Sequence, residues 1–103
     1  MSVLDALSSQ NDRRDEELNI KLAEQISKDK DGAKVKELIH LMKNSNKAIQ
    51  NDCIKVLYEI GEVTPELIID YLDVFLEYLE NKNNRLQWGA MTAIYQITPL
   101  IPE

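Results

Sequence analysis

The sequence holds one cysteine, Cys53, in 103 residues. No intrachain disulfide can form, and a zinc site built on paired cysteines is excluded. Glycine and proline number three each, too few for collagen-like, linker-like or turn-dense all-β chains. Gly32, Gly61 and Gly89 stand alone, so no glycine-rich loop is available to cradle phosphates. The only histidine, His40, has no second histidine for a metal site and no serine or cysteine at catalytic spacing. No apolar stretch reaches the roughly 20 residues needed to cross a bilayer. The densest run, Leu67 to Leu79, is broken by Asp70, Asp73 and Glu77. The opening residues Met1-Ser2-Val3-Leu4-Asp5 lack the basic-then-apolar pattern of a secretory signal. A cytoplasmic, non-enzymatic protein is expected, with no cofactor, no metal, no membrane and no small-molecule substrate.

What is present is ordinary globular material. Hydrophobic residues make up 44% and charged residues 29%, enough apolar content for one buried core. The formal charge is −6, so the overall field opposes nucleic acid and anionic membranes.

The chain also repeats itself. A shift of 37 residues aligns Asn44 with Asn81, Asn46 with Asn83, Gln50 with Gln87 and Tyr58 with Tyr95. It also aligns Ile60 with Ile97, Pro65 with Pro102 and Glu66 with Glu103. Apolar positions follow the same register, among them Leu38 with Phe75, Ile39 with Leu76, Ile49 with Leu86 and Cys53 with Ala90. Each unit reads as a helix pair. Ala33 to Lys43 and Lys47 to Ile60 carry apolar residues at helical spacing, separated by the polar turn Asn44-Ser45-Asn46. Gly61 is expected to end the second of these helices as a left-handed cap. Thr64-Pro65-Glu66 is expected to start the next helix, with Thr64 as N-cap. That helix is expected from Pro65 to Glu80, in one piece or in two that meet near Asp70; Asn84 to Ile97 follows it. A third, weaker unit occupies the N-terminus, with a helix from Asp12 to Ser27 and a charged connector from Lys28 to Gly32. The expected organisation is one domain, 1–103, made of a truncated repeat at 1–31, a repeat at 32–66 and a repeat at 67–103.

Helix pairs repeating at this interval suggest an α-solenoid. The segment Asn83-Asn84-Arg85-Leu86-Gln87-Trp88-Gly89-Ala90-Met91-Thr92-Ala93-Ile94 resembles the second helix of a HEAT/armadillo-type repeat. Asn46-Lys47-Ala48-Ile49-Gln50-Asn51-Asp52-Cys53-Ile54-Lys55-Val56-Leu57 is a fainter version. The resemblance implies an all-α, right-handed superhelix of five or six antiparallel helices. It implies a binding scaffold and no catalytic residue.

At 100° per residue, Leu86, Ala90, Ala93, Ile94 and Ile97 share one side of the last helix, while Asn84, Trp88, Met91 and Tyr95 share the other. The matching side of the preceding second helix holds Lys47, Asn51, Ile54 and Tyr58. Two readings stay open. Ile54, Tyr58, Met91 and Tyr95 fill packing between repeats, or Trp88, Met91 and Tyr95 form an exposed anchor for a partner or a second copy. The candidate partner-binding residues are Asn51, Lys55, Tyr58, Arg85, Trp88, Met91, Thr92 and Tyr95. An alternative is a nucleic-acid or DNA-repair helical-repeat protein using Arg85 and Trp88, with Arg13, Arg14, Lys47 and Lys55 in the same stripe. Another is a self-associating structural unit. Cys53 is expected to be a small core residue, His40 a surface residue, and Asp70, Asp73 and Glu77 a solvated face.

Overall fold

The computed structural model describes residues 3–11 and 16–101. The basic pair Arg13-Arg14, the expected helix start at Asp12 and the closing Pro102-Glu103 therefore lie outside the described residues. Among those described, the structure is helical and contains no strand. Two 3-10 turns, Val3–Ala6 and Ser8–Asn11, lead into α1 (Glu17–Asp29), α2 (Gly32–Asn44) and α3 (Lys47–Val63). Two further 3-10 turns, Pro65–Leu67 and Ile69–Tyr71, precede the short α4 (Leu72–Tyr78), and α5 (Asn84–Ile97) follows.

The helix starts follow from their caps. Asn46 accepts a hydrogen bond from the Ile49 N–H at 3.0 Å, and Asn83 from the Arg85 N–H at 3.2 Å. Asp31 does the same for Lys34 at 3.2 Å. Each side chain satisfies a donor that the first helical turn leaves unpaired. At the end of α1, Lys30 takes the left-handed conformation with φ 53°, and its N–H caps the carbonyls of Ile26 and Ser27.

Two features depart from the sequence reading. Gly61 does not end α3, which continues to Val63. No glycine has positive φ among the described residues, so Gly61 serves packing: a Cβ there would run into the Gln96 side chain and Ile68. The expected helix from Pro65 to Glu80 is a pair of 3-10 turns and a short α-helix. Ile68 separates the pieces and is fully buried, and the Thr64 side chain makes no capping bond.

Helix α3 is the hub. It packs against α1, α2 and α5, and α4 packs against α5. The core is built from Ile26 of α1, Val35, Leu38 and Met42 of α2, Val56, Leu57 and Ile60 of α3, Phe75 of α4, and Leu86, Ala90, Ala93 and Ile97 of α5. Val3 and Leu7 of the N-terminal turns join it. The thinnest dimension is 20 Å, about two helix diameters. The radius of gyration is 12.5 Å, close to the ~13 Å of a globular domain of this length.

One hydrogen bond recurs at the 37-residue interval. Gln50 donates from Nε2 to the Met42 carbonyl at 2.9 Å, joining α3 to α2. Gln87 donates to the Leu79 carbonyl at 2.6 Å, joining α5 to the chain just after α4. Both use a half-buried glutamine to satisfy a carbonyl at the end of the preceding helix.

A buried polar cluster secures the N-terminal turns. Asn19, fully buried on α1, donates to Asp52 Oδ1 at 2.8 Å and accepts from the Ser8 N–H at 2.9 Å. The Ser9 N–H donates to Asp52 Oδ2 at 3.1 Å. Asp52 itself is nearly buried, and these donors are what make a carboxylate tolerable there.

Candidate functional site: the cleft between α3 and α5

Helices α3 and α5 run in the same direction. Asn83, at the start of α5, donates to Asn51 Oδ1 at 2.8 Å, and Gln96, near its end, donates to the Tyr58 carbonyl at 2.9 Å. Between these two ties Gly89 faces Ile54, and a Cβ at position 89 would overlap the Ile54 side chain. The glycine thus sets how closely the helices approach.

Above this contact lies an open cleft of about 240 Å³. Asn51, Lys55 and Tyr58 line it from α3, and Arg85, Trp88 and Thr92 from α5, with Ile54, Asn84 and Gly89 completing the lining. On α3 the spacing is i, i+4, i+7, and on α5 it is i, i+3, i+7, so each trio shares one helix face. Six of the eight candidate residues are therefore brought together. Met91 and Tyr95 are not: both are exposed and lie outside the cleft, and Tyr95 borders a separate depression with Thr98 and Pro99.

The two readings of the apolar second face divide between the helices. Ile54 is buried and Tyr58 half-buried, both packed with the core. Their counterparts Met91 and Tyr95 are 45% and 81% exposed, and Trp88 is 65% exposed. The difference has a simple cause. α5 covers that face of α3, and among the described residues no helix covers the same face of α5.

The charged residues lining the cleft are both cations, and each meets a carboxylate beside it. The Arg85 guanidinium meets Glu16 at 2.8 Å, and Lys55 Nζ lies 3.6 Å from Glu59 and 5.0 Å from the centre of the Tyr58 ring. Burial alone would lower the Lys55 pKa. The hydrogen-bonding partner Tyr58 and the carboxylates of Glu59 and Glu16 outweigh it, and the ammonium is held above its ordinary value. Of the cationic stripe considered for nucleic acid, Lys55 and Arg85 each face a carboxylate, while Lys47 is exposed.

These groups offer hydrogen bonds, a cation and an aromatic face. Cys53 is fully buried, and desolvation, with Asp52 and Glu37 nearby, pushes its thiol up to about 12. His40 is exposed and lies 3.4 Å from the Asn44 amide. Asp70, Asp73 and Glu77 are exposed. Among the described residues no cluster of three His, Cys, Asp or Glu residues is arranged to hold a metal, and no helix is long and apolar enough to cross a membrane.

The sequence reading did not single out Gly89 or Asn84 as cleft residues, or Glu16 as the partner of Arg85. Glu16 reaches Arg85 across 69 positions of chain, so no local pattern signals it. Gly89 carried a signal: a lone glycine inside a strongly helical segment often marks close packing. Comparison with protein-family models, with curated proteins and with solved structures finds no match for this chain.

Proposed function

We propose that this protein is a non-catalytic interaction module of HEAT-like helical repeats that binds a protein partner across the α3–α5 cleft and the adjoining face of α5. The observation that carries the reading is the exposed Trp88 on the rim of a cleft shared by Asn51, Lys55, Tyr58, Arg85 and Thr92. A large aromatic beside an arginine is the composition that dominates binding energy at protein interfaces. The repeated glutamine bond and the matched asparagine caps support the helical-repeat reading.

Selection of ligands from a displayed peptide library, followed by amide-shift mapping, tests it. Selected ligands should shift cleft amides and lose at least about tenfold in affinity on Trp88→Ala, the range of an interface hot spot. The melting temperature should stay put, because the side chain is mostly in water. Ligands that map elsewhere and ignore Trp88→Ala refute the proposal.

One observation favours self-association as a second reading. α5 carries a single charged residue, Arg85, in 14 positions, within a chain that is 29% charged. Depletion of charge marks interface cores. Light scattering across a concentration series decides between the readings: a mass that rises with concentration, and falls back to monomer with Trp88→Ala, supports the second.

A further inference from the structure

A second cleft, of about 180 Å³, lies between α1 and α3. Its polar lining is Glu24 and Ser27 from α1 and Glu59 and Glu62 from α3, and Ile20 and Val63 stand among them as exposed apolar residues. We propose that this cleft binds a lysine side chain of a partner polypeptide.

Three independent observations support the assignment. The first is charge. Three carboxylates converge on the cleft, and among the described residues the only cation bridged to any of them is Lys55, at 3.6 Å from Glu59. Among the described residues Glu24 and Glu62 form no ion pair. The second is helix polarity. Asn19 pairs with Asp52 at one end of the α1–α3 contact, and Ser27 sits near Val63 at the other, so both helices point their C-termini toward this cleft. A helix C-terminus carries partial negative charge and favours cations. Yet α3 has no basic residue in its last turn and places Glu62 there instead. That arrangement opposes folding and favours an incoming cation.

The third is an unmet hydrogen bond. Ser27 is 7% exposed, and its hydroxyl oxygen is buried with no partner. A buried polar atom left unsatisfied calls for an explanation. Ser27 lines the cleft, and a turn about its Cα–Cβ bond swings the partnerless Oγ into it, where it can accept from a donor that enters. An ammonium supplies three donors, which match Ser27 Oγ, Glu24 and Glu62. The methylene stem of lysine would lie against Ile20 and Val63, keeping apolar length on apolar surface and the charge among carboxylates. This site is separate from the α3–α5 cleft and stands whether or not that cleft binds a partner.

Hexalysine, titrated into the isotopically labelled protein at low ionic strength, is the probe. The amides of Ile20, Ser27 and Val63 should shift together. Glu24→Gln combined with Glu62→Gln should weaken binding by about tenfold, the loss expected from two partly exposed charge contacts. Asp70→Asn combined with Asp73→Asn removes the same charge from another surface and should change affinity by less than about twofold. Ser27→Ala should weaken binding by about threefold or more, the low end of the net value of one hydrogen bond. The proposal is overturned if both double variants weaken binding equally, since diffuse attraction to an acidic protein would then account for it. It is also overturned if the shifts cluster away from the α1–α3 cleft, or if Ser27→Ala binds as wild type does.

Discussion

Asn19 is fully buried, and its side chain ties the N-terminal turns to Asp52, so its loss is costly. Asn19→Ala removes two hydrogen bonds at once. Losing the donation to Asp52 Oδ1, at 2.8 Å, leaves a nearly buried carboxylate whose one remaining hydrogen bond among the described residues is from the Ser9 N–H. The acceptance from the Ser8 N–H, at 2.9 Å, leaves a buried backbone donor unpaired. A hydrogen bond to a charged group contributes about 1.5–3 kcal/mol, and a buried unsatisfied donor costs about 1–3 kcal/mol. The expected loss is therefore about 3–5 kcal/mol, a large share of the ~5–15 kcal/mol that holds a typical domain together. Urea unfolding followed by circular dichroism at the helical band measures it. A double-mutant cycle with Asp52→Ala isolates the pair, and the coupling should be at least about 1.5 kcal/mol because the bond is charge-assisted. A loss under about 1 kcal/mol for Asn19→Ala, or a coupling near zero, would refute the reasoning.

Three further outcomes follow from the packing and from Cys53. Gly89→Ala should destabilise, because overlap with Ile54 costs about 1–3 kcal/mol and exceeds the ~1 kcal/mol that alanine gains over glycine in a helix; an unchanged or higher urea midpoint would contradict the close approach. Cys53 should react with a thiol reagent far more slowly in the native protein than in urea, since the folded thiol ionises only near pH 12. Its folded pKa lies above the unfolded value, so the native state holds more protons in the window between them. Stability is thus unaffected by this group below about pH 9 and falls above it, by at most about 1.4 kcal/mol per pH unit, up to about pH 12. Comparing Cys53→Ala with wild type across that window isolates the contribution.

Features of the fold that depend on local chemistry could be read from the chain. The span of α5, Asn84–Ile97, matches the sequence expectation, because Asn83 caps it and the apolar spacing runs unbroken. The caps Asn46 and Asn83 act alike because both sit one residue before a run of helical spacing. Gly61 misled because glycine has two uses. It can adopt a left-handed turn, or it can let another chain segment come close, and here Gln96 and Ile68 occupy the space a side chain would take. The choice between them depends on a residue 35 positions away, beyond the reach of any local pattern. The same limit hid the Asn19–Asp52 pair, 33 residues apart. In the cleft, helical periodicity sufficed to place Asn51, Ile54 and Tyr58 on one side of α3 and Asn84 and Trp88 on one side of α5, and all five line it. It did not separate Trp88 from Met91 and Tyr95, because whether that side of a helix is covered depends on a neighbour that periodicity does not describe.

The single tryptophan of this chain stands mostly in water, outside the core. Its surroundings change little when the helices come apart, so its fluorescence is a poor witness to unfolding. It is well placed to witness an arrival. A ligand that lands on α5 removes water from the indole and shifts its emission with the fold left untouched, so the same chromophore that is nearly blind to denaturation reports occupancy directly.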